Sequence, residues 1–237
     1  HNHCRVTRSY KSSDGYRLGD WIGSQREKRD SLSPERIARL DSLGFDWEAV
    51  DFFSFIADLV AGEDDIQIMY GIGGEKELTE RELDHLQGYA DSRPVRIGNA
   101  AYAQKQHDVW GALLDSVYLH FKAANRLDNR IWLILDKQVS EALKYWREPD
   151  AGIWEVRGQL QHFTSSKIMC WVAVDRGSKI ARMTGEAGKA AEWELAAQEI
   201  KDDILTNGVD DRGVLTQYYG TKALDASLLL APLVRFL

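Results

Sequence analysis

At 237 residues, 44% of them hydrophobic, the chain holds ample apolar content for a packed core, which excludes a disordered polypeptide. The formal net charge of −7 sits in residues 51–237, where 21 Lys/Arg face 29 Asp/Glu, against nine and eight in residues 1–50. An acidic main body excludes a nucleic-acid-coating surface there, because such binding runs on phosphate neutralisation, but it does not oppose a neutral sugar.

The chain opens on His1, and no basic stretch followed by an apolar signal core stands near it, so a clipped or truncated N-terminus is expected. His1-Asn2-His3-Cys4 has metal-ligand residue types, yet a terminal cluster without later partners cannot close a tetrahedral site, so neither metal nor cofactor is expected. Leu18, Trp21, Ile22 and Gln25 are helix-spaced. Ser33-Pro34 then offers an N-cap with Pro at the first helical position, and Ile37, Leu40 and Leu43 mark one face. Gly44 reads as a helix stop, with Phe45 and Trp47 as apolar anchors behind it. Near residue 50 the character changes from short basic amphipathic helices to a long acidic helical body, which predicts two units, 1–50 and 51–237.

Ile66 to Tyr70 predicts a short strand, and Gly71-Ile72-Gly73-Gly74 predicts a structural turn; the spacing is not GxGxxG, so a dinucleotide fold is rejected. Three apolar stripes then predict helices: Val109 to Phe121, Trp132 to Trp146, and Trp193 to Ile204. Thr164, Ser165 and Ser166 predict caps for a further helix. The only other cysteine, Cys170, lies in an apolar stretch and reads as a buried structural thiol; two distant cysteines predict reduced thiols and a cytoplasmic protein. A last apolar helix is expected from Leu228 to Val234, kinked at Pro232 and far too short to cross a bilayer. Helices of this length between polar loops predict an all-α toroid or solenoid.

Two resemblances add to this reading. His3-Cys4-Arg5-Val6, Asp14 to Ile22, Gln25-Arg26 and Leu43 to Trp47 match in order the helicase-associated domain, a small helical module whose opening helix is missing before His1. The resemblance implies nucleic-acid contacts by Arg26, Lys28, Arg29, Arg36 and Arg39, the alternative being a solvated helical face. From about Phe52 to Leu237, four blocks match glycoside hydrolase family 15, the glucoamylases, α-glucosidases and trehalases. They are Ile66 to Glu75 with Leu78-Thr79-Glu80 and Leu83; Gly88-Tyr89 and Ser92 to Ala101, closing on Gln104, Gln106 and Asp108; Pro149 to Trp171; and Leu224 to Leu230 with Pro232-Leu233-Val234. The fold implied is part of an (α/α)6 toroid of the six-hairpin glycosidase type, preceded by the helicase-associated module.

The third block carries the chemistry. In the family a Trp-Glu pair on an interhelical loop holds the general acid, which implies that role for Glu155 beside Trp154. A pyranose presents hydroxyls around its rim and C–H faces above and below. Arg96, Asn99, Gln104, Gln106 and Asp108 are therefore expected to bind the rim and Trp154 to be the platform, with Arg157 on a hydroxyl or the acid and Lys167 toward the site or the core. An acid catalyst must be protonated, a need that apolar Ile153, Trp154 and Val156 would meet by covering Glu155 and that Arg157 would oppose by pointing at it. Inversion takes a second carboxylate about 6.5–9.5 Å away with a water between. The resemblance places that base downstream of Leu237 and the segment gripping the innermost sugar before the first block, so these residues alone are expected not to turn over an α-glucoside or trehalose-type sugar. Exposed apolar helix faces are expected to favour self-association. The competing readings are a nucleic-acid-associated protein acting through residues 1–50, and two unrelated coding pieces joined in one gene.

Overall fold

The computed structural model describes Gln25 and residues 31–42, 66–124 and 129–237. Helix α1 runs Pro34–Ser42, with the Arg36 N–H 3.4 Å from Ser33 Oγ, as the Ser-Pro start predicts. Arg36 and Arg39 lie on its exposed side, and Arg36 Nε donates to Gln25 Oε1 at 3.0 Å. Arg26, Lys28, Arg29, the Leu18–Ile22 spacing and the Gly44 stop all lie outside the described residues.

The expected strand at 66–70 does not form. Ile66 is buried in the core and the Gln67 N–H is taken by Tyr70 Oη at 2.8 Å, so the segment is anchored by its side chains and has no ladder partner. The glycine run after it is the turn expected, closed by Gly74 N–H to Gly71 O at 2.9 Å and Gly71 N–H to Glu75 O at 2.8 Å. The one short ladder among the described residues pairs β1 (Arg81–Glu82) with β2 (Arg96–Ile97), antiparallel, with Arg81 opposite Ile97.

Four long helices make the body: α2 (Asp108–Ala124), α3 (Asn129–Tyr145), α4 (Thr164–Thr184) and α5 (Ala187–Asn207). The three predicted stripes are buried as drawn, through Trp110, Leu114, Val117 and Phe121 on α2, Leu135 and Val139 on α3, and Trp193, Ile200 and Ile204 on α5. Each such side chain contributes about 1.5–3 kcal/mol by leaving water. Helix α4 lies at the centre and packs against the other three. It is buried nearly all round, Val172, Ala173, Val174 and Ile180 included, and for that reason carries no single apolar stripe. Gly111 lets α2 and α4 approach backbone to backbone, since a Cβ there would sit 2.2 Å from Met169 O. Cys170 is wholly buried beside His107 O, and burial pushes its thiol up, as a structural thiol requires. No helix among the described residues is long and apolar enough to cross a membrane.

Two local expectations fail. The Thr164, Ser165 and Ser166 hydroxyls make no cap on α4; Ser166 Oγ donates instead to Asp150 Oδ2 at 2.8 Å, and the Thr164 N–H reaches Gln217 O at 2.9 Å. The single C-terminal helix is broken into a 3-10 turn, Ala226–Leu229, and a short helix α6, Leu230–Leu233. Pro232 has no N–H to extend it, and the end closes on Arg235 at φ 60° with Phe236 N–H to Ala231 O at 2.9 Å, a Schellman stop. Ala231, Val234 and Phe236 turn inward, whereas Leu229, Leu233 and Leu237 stay exposed, Leu229 and Leu237 along an apolar groove of about 810 Å³ that Leu205 of α5 and Val209 just beyond it also line.

Candidate functional site

The loop from Asp150 to Gln161 stands between α3 and α4 and is pinched at its base, where Asp150 and Gln161 exchange two backbone hydrogen bonds of 3.0 Å. Asp150 is fully buried, and its Oδ2 accepts the His107 N–H at 2.9 Å and the Ser166 hydroxyl. Burial raises the Asp150 carboxyl, and bonds from His107 and Ser166 and the charge of Lys167 only partly offset it. Lys167, 1% exposed, donates its Nζ to the carbonyls of Trp146 and Glu148, which ties down the chain entering the loop; burial lowers its pKa. Gly152 at φ 68° completes the base, where a Cβ would strike the Phe163 ring at 2.7 Å.

On this base, Glu155 adopts φ 53°, a left-handed conformation uncommon for a side chain of its kind and held here by fixed neighbours. Its Oε2 accepts the Asn99 Nδ2 at 3.2 Å. Asn99 is itself set by its N-cap duty, since its Oδ1 accepts the Ala101 N–H at 3.0 Å and so turns its NH₂ to the carboxylate. Gln104 Nε2 reaches the Glu155 and Val156 carbonyls at 3.5 and 3.4 Å, and buried Gln106 donates to Gln104 Oε1 at 3.3 Å. Trp154, 59% exposed, gives its indole N–H to Asp225. Arg157 pairs with Glu80 Oε2 at 2.9 Å, and Arg96 pairs with Glu80 and Glu82 at 3.5 and 2.9 Å. The Arg157 and Ala100 donors hold Glu80 below the usual carboxylate range against a small burial effect.

The structure thus gathers Glu155, Trp154, Arg157, Arg96, Asn99, Gln104 and Gln106 around one loop. Asp108 and Lys167 lie beneath it. Asp108 begins α2 with Oδ1 buried and without a protein partner, and burial with nearby Asp150 pushes it up to about 6. His107 beside it is driven down to about 4 by burial and by the charges of Lys167 and Lys105. Lys167 faces the core. Ile153, Trp154 and Val156 are all exposed, and the Glu155 carboxylate meets the Asn99 amide. Arg157, whose guanidinium goes to Glu80, is not aimed at Glu155. Sequence reasoning missed Glu80, Asp150 and Asp225, although all three lie inside matched blocks.

The sequence model described as Glycosyl hydrolases family 15 matches residues 32–237, and that of the helicase associated domain matches residues 1–48. A trehalase of Mycolicibacterium smegmatis is 61% identical over 202 residues, covering 84% of this chain and 30% of that protein. A trehalase of Thermoplasma acidophilum is 35% identical over 202 residues, covering 85% and 35%. The chain therefore spans about a third of the length of these curated relatives. A solved glycosidase variant in complex with glucose superposes with a TM-score of 0.49 at 20% identity, over 90% of this chain and 47% of that one. With a match spanning most of the sequence and the Trp154-Glu155 loop in its midst, the chain belongs to glycosyl hydrolase family 15.

Proposed function

We propose that this chain is the acid-bearing part of a trehalose-cleaving glycosidase, with Glu155 as general acid, Trp154 as sugar platform, and Asn99, Gln104, Arg96 and Arg157 as rim groups. The observation that carries the reading is the fixed Glu155 carboxylate, held by Asn99 on a loop pinned at both ends. The identity to trehalases favours trehalose over longer glucans. Glu155 gives its proton to the oxygen joining the two glucose units; as that C–O bond breaks, one glucose leaves and water adds to the other anomeric carbon from the opposite face. From an α,α-linkage this yields one α- and one β-glucose. Gln106 orients Gln104, whereas Asp108 and Lys167 act from below, Lys167 by fixing the loop base. Residues 1–237 span about a third of the length of the trehalases they match and by themselves are expected to turn over no trehalose; release of glucose by this purified polypeptide would refute that. In an active full-length protein containing this sequence, Glu155→Gln lowers kcat by about 10²–10⁴-fold, and unchanged turnover would refute the role of Glu155.

The unit boundary is placed near residue 50, although the two family matches overlap over residues 32–48. A nucleic-acid contact through residues 1–50 remains the second reading, favoured by the helicase-associated match and by exposed Arg36 and Arg39. Binding that falls steeply with salt supports it, and salt-independent or absent binding removes it. Self-association is expected through Leu229, Leu233 and Leu237, and sedimentation as a monomer at all concentrations refutes it.

A further inference from the structure

The Leu224 to Leu230 block supplies no group to the mechanism above, yet one of its residues holds the platform. Trp154 Nε1 lies 2.9 Å from Asp225 Oδ1 and 3.0 Å from Oδ2, across 71 residues of sequence. Both oxygens are also held from the other side, Oδ1 by the Ser227 N–H at 2.8 Å and Oδ2 by Gln217 Nε2 at 3.2 Å. Burial by itself would raise the Asp225 carboxyl, but the Ser227 N–H, the Trp154 indole and Gln217 together keep it low, so it stays a charged acceptor. Its anchor belongs to the helical body. Asp225 N-caps the 226–229 turn, where Ser227 and Leu228 are buried, and Gln217 O accepts the first N–H of α4. Ile153, next to Trp154, borders a small cavity of about 10 Å³ shared with Ser227 and Leu230, so loop and turn meet at two neighbouring residues.

We infer that Asp225 is the positioning residue of the sugar platform: it ties the Trp154 indole N–H to the helical body, so that the exposed ring offers a sugar its apolar face and withholds its only polar atom. The inference rests on the reading that the Glu155 loop receives a sugar. It has a consequence for specificity. A ring with its N–H engaged stacks on C–H faces and selects by shape, whereas a free indole N–H would also select by hydroxyl position.

The test uses the whole 237-residue chain carrying ¹⁵N-tryptophan, with the Trp154 indole resonance identified by its loss in Trp154→Phe. Without sugar, Asp225→Ala is expected to move that resonance to the free-indole position and speed its exchange with water about tenfold or more. Asp225→Asn, which retains the turn cap and one acceptor, restores its place in part. An indole resonance unchanged in both variants overturns the clamp. With trehalose as the probe, Asp225→Ala weakens binding about tenfold in the native background and not at all in the Trp154→Phe background, because it acts only through the indole. Equal weakening in both backgrounds means a merely structural role and overturns the proposal. Absence of trehalose binding by the native chain ends the sugar reading that the platform serves, while the indole shift still decides whether the clamp exists.

Discussion

The helical body and the Glu155 loop are stabilised by opposite means. Helices α2, α3, α4 and α5 meet through apolar side chains that leave water together, a non-directional force that tolerates small shifts. The loop from Asp150 to Gln161 exposes Ile153, Trp154 and Val156 and is held instead by directional polar bonds from Asn99, Gln104, Asp150, Lys167 and Asp225. Directional bonds cost stability when they are desolvated, but they fix atoms in place, as the proposed role of Glu155 as an acid that must meet one oxygen requires. The protein therefore spends buried polar groups beneath the loop and apolar ones elsewhere.

This contrast predicts a ladder of effects. Trp110→Ala, which empties the centre of the body, is expected to cost about 3–5 kcal/mol in denaturant unfolding, and a cost below about 1 kcal/mol would show that the core is not cooperative there. Lys167→Met keeps the bulk but strands two carbonyls. A loss of about 1.5–3 kcal/mol is expected, with amide exchange faster in the loop than in α5, and uniform exchange would deny the loop its separate anchor.

The third prediction concerns pH. His107, lowered to about 4 from 6.5, contributes stability that is present above pH 6.5 and lost as pH falls toward 4. Asp108, raised to about 6 from 3.8, contributes stability that is present below pH 3.8 and lost as pH rises through 6. The neighbours oppose each other, as do His162 and Asp150, lowered and raised by burial. The His107 and Asp108 contributions are therefore expected to cancel between pH 4.5 and 6. Asp108→Asn should rise over that range by about 2 kcal/mol and His107→Gln should fall by a similar amount; parallel profiles would refute the opposition.

Smaller effects belong to the loop's upper contacts. Asn99→Ala removes a cap and the partner of Glu155, at about 1 kcal/mol. Glu155→Gln changes unfolding by less than about 0.5 kcal/mol, since its contact is partly exposed; a large loss would place Glu155 among the structural groups.

Much of the body was legible in the residues. The stripes of α2, α3 and α5 are periodic because one face of each is buried, and periodicity is visible within a single segment. Helix α4 left no such trace because every side of it is covered, and its Thr-Ser-Ser opening misled, since Ser166 found a stronger partner in Asp150. The Leu228–Val234 run read as one helix because Pro232 and the stop at Arg235 act against an otherwise apolar pattern.

At the site, the sequence by itself determined which loop carries the Trp-Glu pair and that Asn99 and Gln104 stand in matched blocks, because those signals lie in short contiguous segments. Only the tertiary structure decided where the polar groups point. Arg157 meets Glu80 across 77 residues, Trp154 meets Asp225 across 71, and His107 meets Asp150 across 43. A charged or amide side chain reads alike whether it faces water, sugar or a buried partner. What separates these fates is the desolvation cost and the bond that offsets it, and both exist only once distant segments are packed together.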